Sequence, residues 1–515
     1  VRNRNALATL FPLAPIAAWV AIAWPAPAGA ADWQITPGID LKETYTDNVT
    51  LATSGNERSD FVTEITPNLS LKATGARMKL SADYAMRNFF YGRSSEASNR
   101  HHHLQALANA ELVENLFYLD GKASAGQKAI SPFGPQAAGD GYLTNNQADV
   151  RTYSISPYLR HRFGRSATAE LRYSRDAVSA DTGGMSDSES DRLRISLHSG
   201  SEFRVLEWNV LYDDQKIHYD AADDVRTRQL SGSLRYALTS RFALTATGGY
   251  EDNNYVSIAS KPEGDFWSVG AAWAPSERSN IAVSAGRRFF GNTLSLSAQH
   301  RTRMTVWSVG YQEEITTTRS QFLMPSAQDT VAFLNGLWAS SIPDQAAREE
   351  MVRHFIREAN LPSTVIVPVN SFTNRVFLQK SAHASLAIKG VRNTLMTSVF
   401  RVEREPQSGA TSDSSLTAGS AALLGDATRQ EGVSTAWHLR LSPRTSLTAS
   451  AGYSEVRSAA TGARDENITY RLGLSRQMRQ KVKGGVELRR LEKRSNQTTS
   501  EFRENAVAAF LQISF

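Results

Sequence analysis

Three consecutive histidines, His101-His102-His103, are the residues of this chain best suited to hold a metal. On a strand His101 and His103 share one face and His102 takes the other, because successive side chains point to opposite sides. A metal centre needs further ligands at workable spacing. No Asp, Glu or Cys completes one here, and no H-E-x-x-H pattern occurs. Serine nucleophiles need a base and an orienting partner beside the hydroxyl. Serines abound, but G-x-S-x-G is missing, and His161, His198, His354, His383 and His438 lie scattered. No glycine loop that would cradle phosphate and no dinucleotide fingerprint is found. The residue types therefore predict no catalytic centre, no metal and no cofactor.

Arginine is the type whose placement carries information. If Tyr153, Ile155, Leu159 and Phe163 face lipid, Arg160 and Arg162 face the other way. The same parity sets Arg172 against Leu171 and Tyr173, and Arg192 and Arg194 against Leu193, Ile195 and Leu197. It sets Arg235 between Leu234 and Tyr236, Arg440 beside Leu439, Arg471 between Tyr470 and Leu472, and Arg489 beside Leu488. An arginine facing lipid costs roughly 2–4 kcal/mol at the bilayer midplane, so these nine are expected to line a lumen. Two roles are open to them: favouring anions, or bracing the wall through Asp and Glu.

The elements that must position these residues follow from a period of two. In Arg241 to Tyr250 the residues Phe242, Leu244, Ala246 and Tyr250 fall on one face, with Thr245, Thr247 and Gly249 on the other. Thr305 to Tyr311 and Ser446 to Tyr453 repeat the pattern, each predicting a strand with one apolar and one polar face. Tight turns are expected near Gly75, Glu114-Asn115, Gly164-Arg165, Thr239-Ser240, Pro275-Ser276, Gly390, Pro443-Arg444 and Gln480. Between them lie longer polar links around 47–59, 92–100, 129–147, 178–190, 213–225, 253–263, 405–427 and 492–501. Such an asymmetry of short and long connections belongs to outer-membrane barrels. The count predicts an all-β transmembrane antiparallel barrel of about 22 strands over 31–515.

Composition agrees. Mean hydropathy is −0.37 over 515 residues, too low for a multispan helical protein, which needs about 20 apolar residues per crossing. Cysteine is absent, which excludes disulfides and thiolate metal sites. The formal charge of +6 is mild and its bases are dispersed, so nucleic acid is not an expected partner. Arg2 and Arg4, the apolar run Ala6 to Trp24 and Ala28-Gly29-Ala30 read as a signal peptide over 1–30. Between Arg319 and Val369 the alternation stops. Val331, Leu334, Leu337 and Trp338, then Met351, Val352, Phe355 and Ile356, have helical spacing. This predicts a helical insertion over 319–369, in an external loop between strands 15 and 16. The tract Ser408 to Gly425 reads as a mobile external loop.

The chain closes on an alternating segment that ends at Phe515, and an aromatic end of this kind resembles the signal read by the barrel assembly machinery. Other segments resemble the PEP-CTERM-system-associated outer-membrane protein family. They are Trp33 to Ile39, Glu43 to Val49, Phe290-Gly291-Asn292, Arg301 to Arg303, Trp307-Ser308, Tyr311, Ile342-Pro343-Asp344 and Leu361-Pro362. The resemblance implies a barrel tied to exopolysaccharide assembly or surface-protein sorting, with polysaccharide or export proteins as partners beside outer-membrane lipid. It implies no chemistry. The expectation is a passive conduit or scaffold; a general or anion-selective nutrient porin and a barrel-wall envelope enzyme are the alternatives.

Overall fold

The alternating segments form 22 strands. They are β1 (Ala31–Thr46), β2 (Asp60–Gly75), β3 (Met78–Tyr91), β4 (Asn99–Val113), β5 (Phe117–Ala129), β6 (Gln147–Phe163) and β7 (Ala167–Ala180). Next come β8 (Ser188–Ser199), β9 (Leu206–Tyr219), β10 (Val225–Ala237), β11 (Phe242–Asn253), β12 (Glu263–Ser276), β13 (Ser279–Arg288), β14 (Gly291–Arg301) and β15 (Thr305–Thr317). After a helix, α1 (Thr318–Leu323), follow β16 (Val376–Lys389), β17 (Asn393–Pro406), β18 (Thr428–Ser442), β19 (Thr445–Ser458), β20 (Arg464–Arg479), β21 (Val482–Ser495) and β22 (Phe502–Ser514). The computed structural model describes residues 31–94, 97–182, 185–258, 261–323, 352, 369, 371–409, 427–497 and 500–515.

Every strand pairs antiparallel with its sequence neighbours, and β1 meets β22 from Gly38↔Ser514 to Thr46↔Ala506. The sheet closes on itself, which satisfies most of its backbone amides without water, and at the loop end β14 and β15 part beyond the Leu296↔Tyr311 pair. Twenty-two strands spaced ~4.8 Å apart and tilted ~40° enclose a barrel roughly 40 Å across. Large apolar side chains stay exposed on one parity, as Leu230, Leu234 and Tyr236 do on β10 and Trp267, Val269 and Trp273 on β12. That band is the outer face.

Both described chain ends lie at one end of the barrel. Ten short connections close that end, from Ala76-Arg77 to Gln480-Lys481. In the connection 164–166, Gly164 has a φ of 56°, a conformation that other residues adopt at a cost. The long connections gather at the opposite end, hereafter the loop end.

Two boundaries differ from expectation, and one connection breaks the alternation of short and long. The turn placed at Pro275-Ser276 is Glu277-Arg278, because β12 continues to a Ser276↔Ser279 pair beyond a register shift. Pro275 falls in that irregularity, where its missing amide hydrogen breaks no ladder bond. The link expected over 213–225 shrinks to 220–224. Its polar residues continue the strand, Asp213 accepting from Arg192 and Asp214 from Arg226 across the sheet. At the loop end, β13 and β14 are joined by Phe289-Phe290 alone, and Gly291 (φ 124°) absorbs the reversal.

Helix α1 opens the insertion between β15 and β16, where the lapse of alternation places it. Apart from a buried Val352, the helical stripes expected over 327–340 and 343–356 lie outside the described residues, as does Leu361-Pro362. So do the signal segment 1–30 and most of 408–425.

Candidate functional site

The connection 130–146 turns into the barrel. Its Asp140 accepts from Arg87 Nη1 of β3 at 2.7 Å, and its Tyr142 hydroxyl donates to Glu504 Oε1 of β22 at 3.0 Å. Lys493 Nζ of β21 donates to the carbonyl of Phe133. β3 and β21 are four strands apart around the wall, and on β3, β21 and β22 the contacted parity is opposite to that of the exposed Phe90, Leu488 and Val507. A segment that touches both strands on that face runs along the inside.

The loop holds this shape through Asn146. Its side-chain amide donates to the carbonyls of Ser131 (2.9 Å) and Pro135 (3.1 Å), and its Oδ1 accepts from Ser131 N at 2.9 Å. A Cβ at Gly134 would lie 2.2 Å from Asn146 Cγ, so only glycine fits there. Apolar contacts seat the loop on the wall. Tyr142, Ala137 and Ala138 pack with Leu51, Leu491 and Phe502, and Leu143 packs with Val49, Val62, Phe89 and Tyr91. Burial raises the Tyr142 phenol above its ordinary range.

Beneath the loop lie ion pairs shut away from water. The side chains of Lys493 and Asp465 are 2.7 Å apart and 0% and 3% exposed. Glu504 is wholly buried, accepting from Thr46 Oγ1 at 2.8 Å as well as from Tyr142, with Arg489 Nη2 at 3.2 Å. Buried carboxylates persist only when paired in this way.

A second piece crosses from β15. Arg319 of α1 donates through Nε to Ser188 Oγ at 2.9 Å and through Nη2 to the carbonyl of Asp176 at 3.2 Å, on β8 and β7. Phe372, fully buried, packs with Val150, Val178, Met185 and Phe322, and its amide donates to Ile130 O at 3.0 Å. Burial pulls the Arg319 guanidinium below its ordinary range. The two inward pieces therefore meet, and together they narrow the loop end.

Away from that end the charged wall runs along β5 to β10. Arg172 contacts Asp120 at 2.7 Å and Glu170 at 2.9 Å, with its guanidinium 3.7 Å from the centre of the Tyr158 ring. Arg160 contacts Glu170 at 2.7 Å, and Arg235 contacts Glu207 at 3.1 Å. Arg192 forks onto Asp213 through Nε (2.8 Å) and Nη2 (2.7 Å), and Arg194 reaches the same carboxylate at 2.8 Å. Arg162 is exposed, with no ion pair among the described residues. Of the remaining three, Arg440 donates to Val391 O at 3.3 Å, Arg471 lies 3.7 Å from Glu487, and Arg489 joins Glu487 and Glu504. The predicted arginines thus fall into two groups, one on β6 to β10 and one on β20 and β21 beside the inward loop, with Arg440 apart on β18.

The three histidines go to separate neighbours. His102 Nδ1 meets the Tyr84 hydroxyl at 2.7 Å, His101 reaches Gln127 and Asp149, and His103 lies over Gly126. Sequence reasoning missed Lys493, Asp465 and Glu504. Lys493 shares the parity of Arg489, a signal that was available.

No protein-family model and no curated protein sequence matches the chain. Among solved structures, the ferric enterobactin receptor of Pseudomonas aeruginosa, in a mutant form, aligns over 94% of this chain and 80% of its own at a TM-score of 0.50 and 7% identity. The fold is that of an outer-membrane β-barrel. The barrel also aligns with the outer membrane protein opdK of the same organism, over 94% of this chain and 99% of that one, at a TM-score of 0.35 and 9% identity. In an outer-membrane barrel the short turns are periplasmic and the long loops external. The inward loop and α1 accordingly belong to the external third of the barrel, and Arg162 and Arg235 to its periplasmic third.

Proposed function

We propose that this barrel is a passive, non-enzymatic conduit whose lumen favours anionic solutes, acidic oligosaccharides foremost. The observation that carries the reading is the convergence of Arg192 and Arg194 on one carboxylate, Asp213. Two guanidiniums on one acid leave the wall with surplus positive charge. Arg162 and Lys122, exposed and without an ion pair among the described residues, add to it. The wall across from it carries hydroxyls, such as Ser398 of β17, which donates to Ser385 of β16 at 3.0 Å. Charge on one side and small hydroxyls on the other suit a polyhydroxylated anion, which takes its charge contacts from arginine forks and its remaining bonds from serine. The resemblance of its sequence to the PEP-CTERM-associated outer-membrane family supports a part for such a conduit in exopolysaccharide export or surface-protein assembly.

Planar-bilayer recording under a salt gradient tests the reading. The wild type is expected to pass anions in preference to cations, and Arg162→Glu with Arg194→Glu to shift the reversal potential toward cation preference. Cation preference in the wild type overturns it. The inward-packed external end supports a second reading, a closed scaffold, for which the same recording stays silent.

A further inference from the structure

Most of the ten periplasmic turns share a feature that neither the fold nor the conduit reading requires. Nine of them carry one Lys or Arg each; the exception is 114–116. Arg204, Arg303 and Arg392 sit beside apolar turn residues, in Phe203-Arg204-Val205, Arg303-Met304 and Val391-Arg392. Arg165, Arg241, Arg278, Arg444 and Lys481 occupy five others, and Arg77 the ninth. All nine are exposed. Arg77 pairs with Glu114; the other eight have no ion pair among the described residues. At the external end the balance is reversed. There the connecting residues hold about twice as many acids as bases, Asp220, Asp223 and Asp224 together in one link.

A ring of unpaired cations alone needs only water. The apolar neighbours on the same turns point to another partner. Val391 is 89% exposed, Val205 56% and Met304 50%, and the strand ends beside other turns expose Phe163 and Met478 at 53%. Exposed apolar groups interleaved with arginine at the rim match a lipid headgroup boundary. The apolar group enters the acyl region, and the long cationic side chain extends back to the phosphates. An acidic protein or glycan docking at the mouth would have no use for aliphatic side chains spread around the whole circumference.

We propose that the periplasmic turns form a ring-shaped binding surface for anionic phospholipid headgroups, so that the barrel gathers such lipids around its periplasmic rim. The inference rests on the membrane placement of the short turns and is independent of what the lumen carries. By concentrating one lipid class there, the ring fixes the barrel's height in the bilayer without any specific pocket.

The test uses the full chain refolded into vesicles and the quenching of its tryptophans by brominated lipid. Trp33, Trp273 and Trp307 are outward and lie toward the periplasmic end, which makes them suitable reporters. Brominated phosphatidylglycerol is expected to associate about fivefold more strongly than brominated phosphatidylcholine, with the preference falling as salt is raised. Replacing Arg204, Arg241, Arg278, Arg303, Arg392 and Arg444 by Gln is expected to bring the ratio near one, while unboiled protein keeps its folded migration on a detergent gel. The control replaces six outward arginines of the external end, Arg175, Arg226, Arg401, Arg457, Arg494 and Arg503, and is expected to leave the ratio unchanged. An equal loss in the control, or no preference in the wild type, overturns the proposal. A folded wild type with no lipid preference that binds polygalacturonate through the six turn arginines makes the ring a glycan dock instead, which also overturns it.

Discussion

The two ends of this barrel use charge in opposite ways. At the external end Lys493 and Asp465 are buried 2.7 Å apart beneath a loop that turns inward, and Glu504 is closed off with its donors around it. At the periplasmic end Arg77 and Glu114 pair with side chains 52% and 66% exposed, and the other eight turn cations have no ion pair among the described residues. Pairs of a cation with a carboxylate thus have different consequences at the two ends. A buried pair commits the structure, because removing either partner strands the other away from water. An exposed pair commits almost nothing, because solvent replaces the lost contact. The external end is therefore the place where side chains fix conformation, and the periplasmic end the place where charge stays free to meet something else.

The largest effect is expected where the commitment is strongest. Lys493→Met leaves Asp465 buried beside little more than Ser495 and should cost about 3–5 kcal/mol, read as a lower urea midpoint in detergent micelles. Adding Asp465→Leu removes the stranded charge and should recover most of that loss. A single substitution without effect on the midpoint would erase the distinction between the ends.

A step down, Tyr142→Phe removes one hydroxyl donor from Glu504 and keeps the ring packed among Leu51, Leu491 and Phe502. The expected cost is about 1–3 kcal/mol, that of a buried acceptor losing a partner. Because the hydroxyl ties the inward loop to β22, the variant should also be cleaved faster within 130–146 by an added protease. Unchanged cleavage would mean that the loop is held by its apolar contacts and Asn146 alone.

The uneven legibility of the sequence has the same physical origin. Lipid forces a period of two on every strand, so strand number, closure and the position of the insertion are readable from Leu234, Tyr236, Trp307 and their like. The interior imposes no such rule. Whether 130–146 stands outside or folds inward turns on Asn146 and Gly134 meeting within one loop, and Ser131-Pro132-Phe133-Gly134 is the composition of any surface turn. The Lys493–Asp465 pair depends on the register of β20 against β21, which brings together residues 28 positions apart. Polar runs within a strand mislead for the converse reason. Asp213 to Lys216 resembles a loop because four polar residues in a row interrupt the alternation, yet Asp213 and Asp214 meet arginines on neighbouring strands.

The smallest effect is the most pointed test of the contrast. Arg77→Ala breaks an ion pair on the rim, and because both side chains are more than half exposed the cost should stay below about 1 kcal/mol. Raised salt should shrink even that, since screening acts on exposed pairs far more than on buried ones. The measurement is the urea midpoint of wild type and variant at low and high salt, beside Lys493→Met under the same conditions. A loss at the rim that matched the loss at Lys493 would place a committing contact at the periplasmic end. Free cations there could then no longer be explained by the absence of structural work, and the two ends would have to be treated as one.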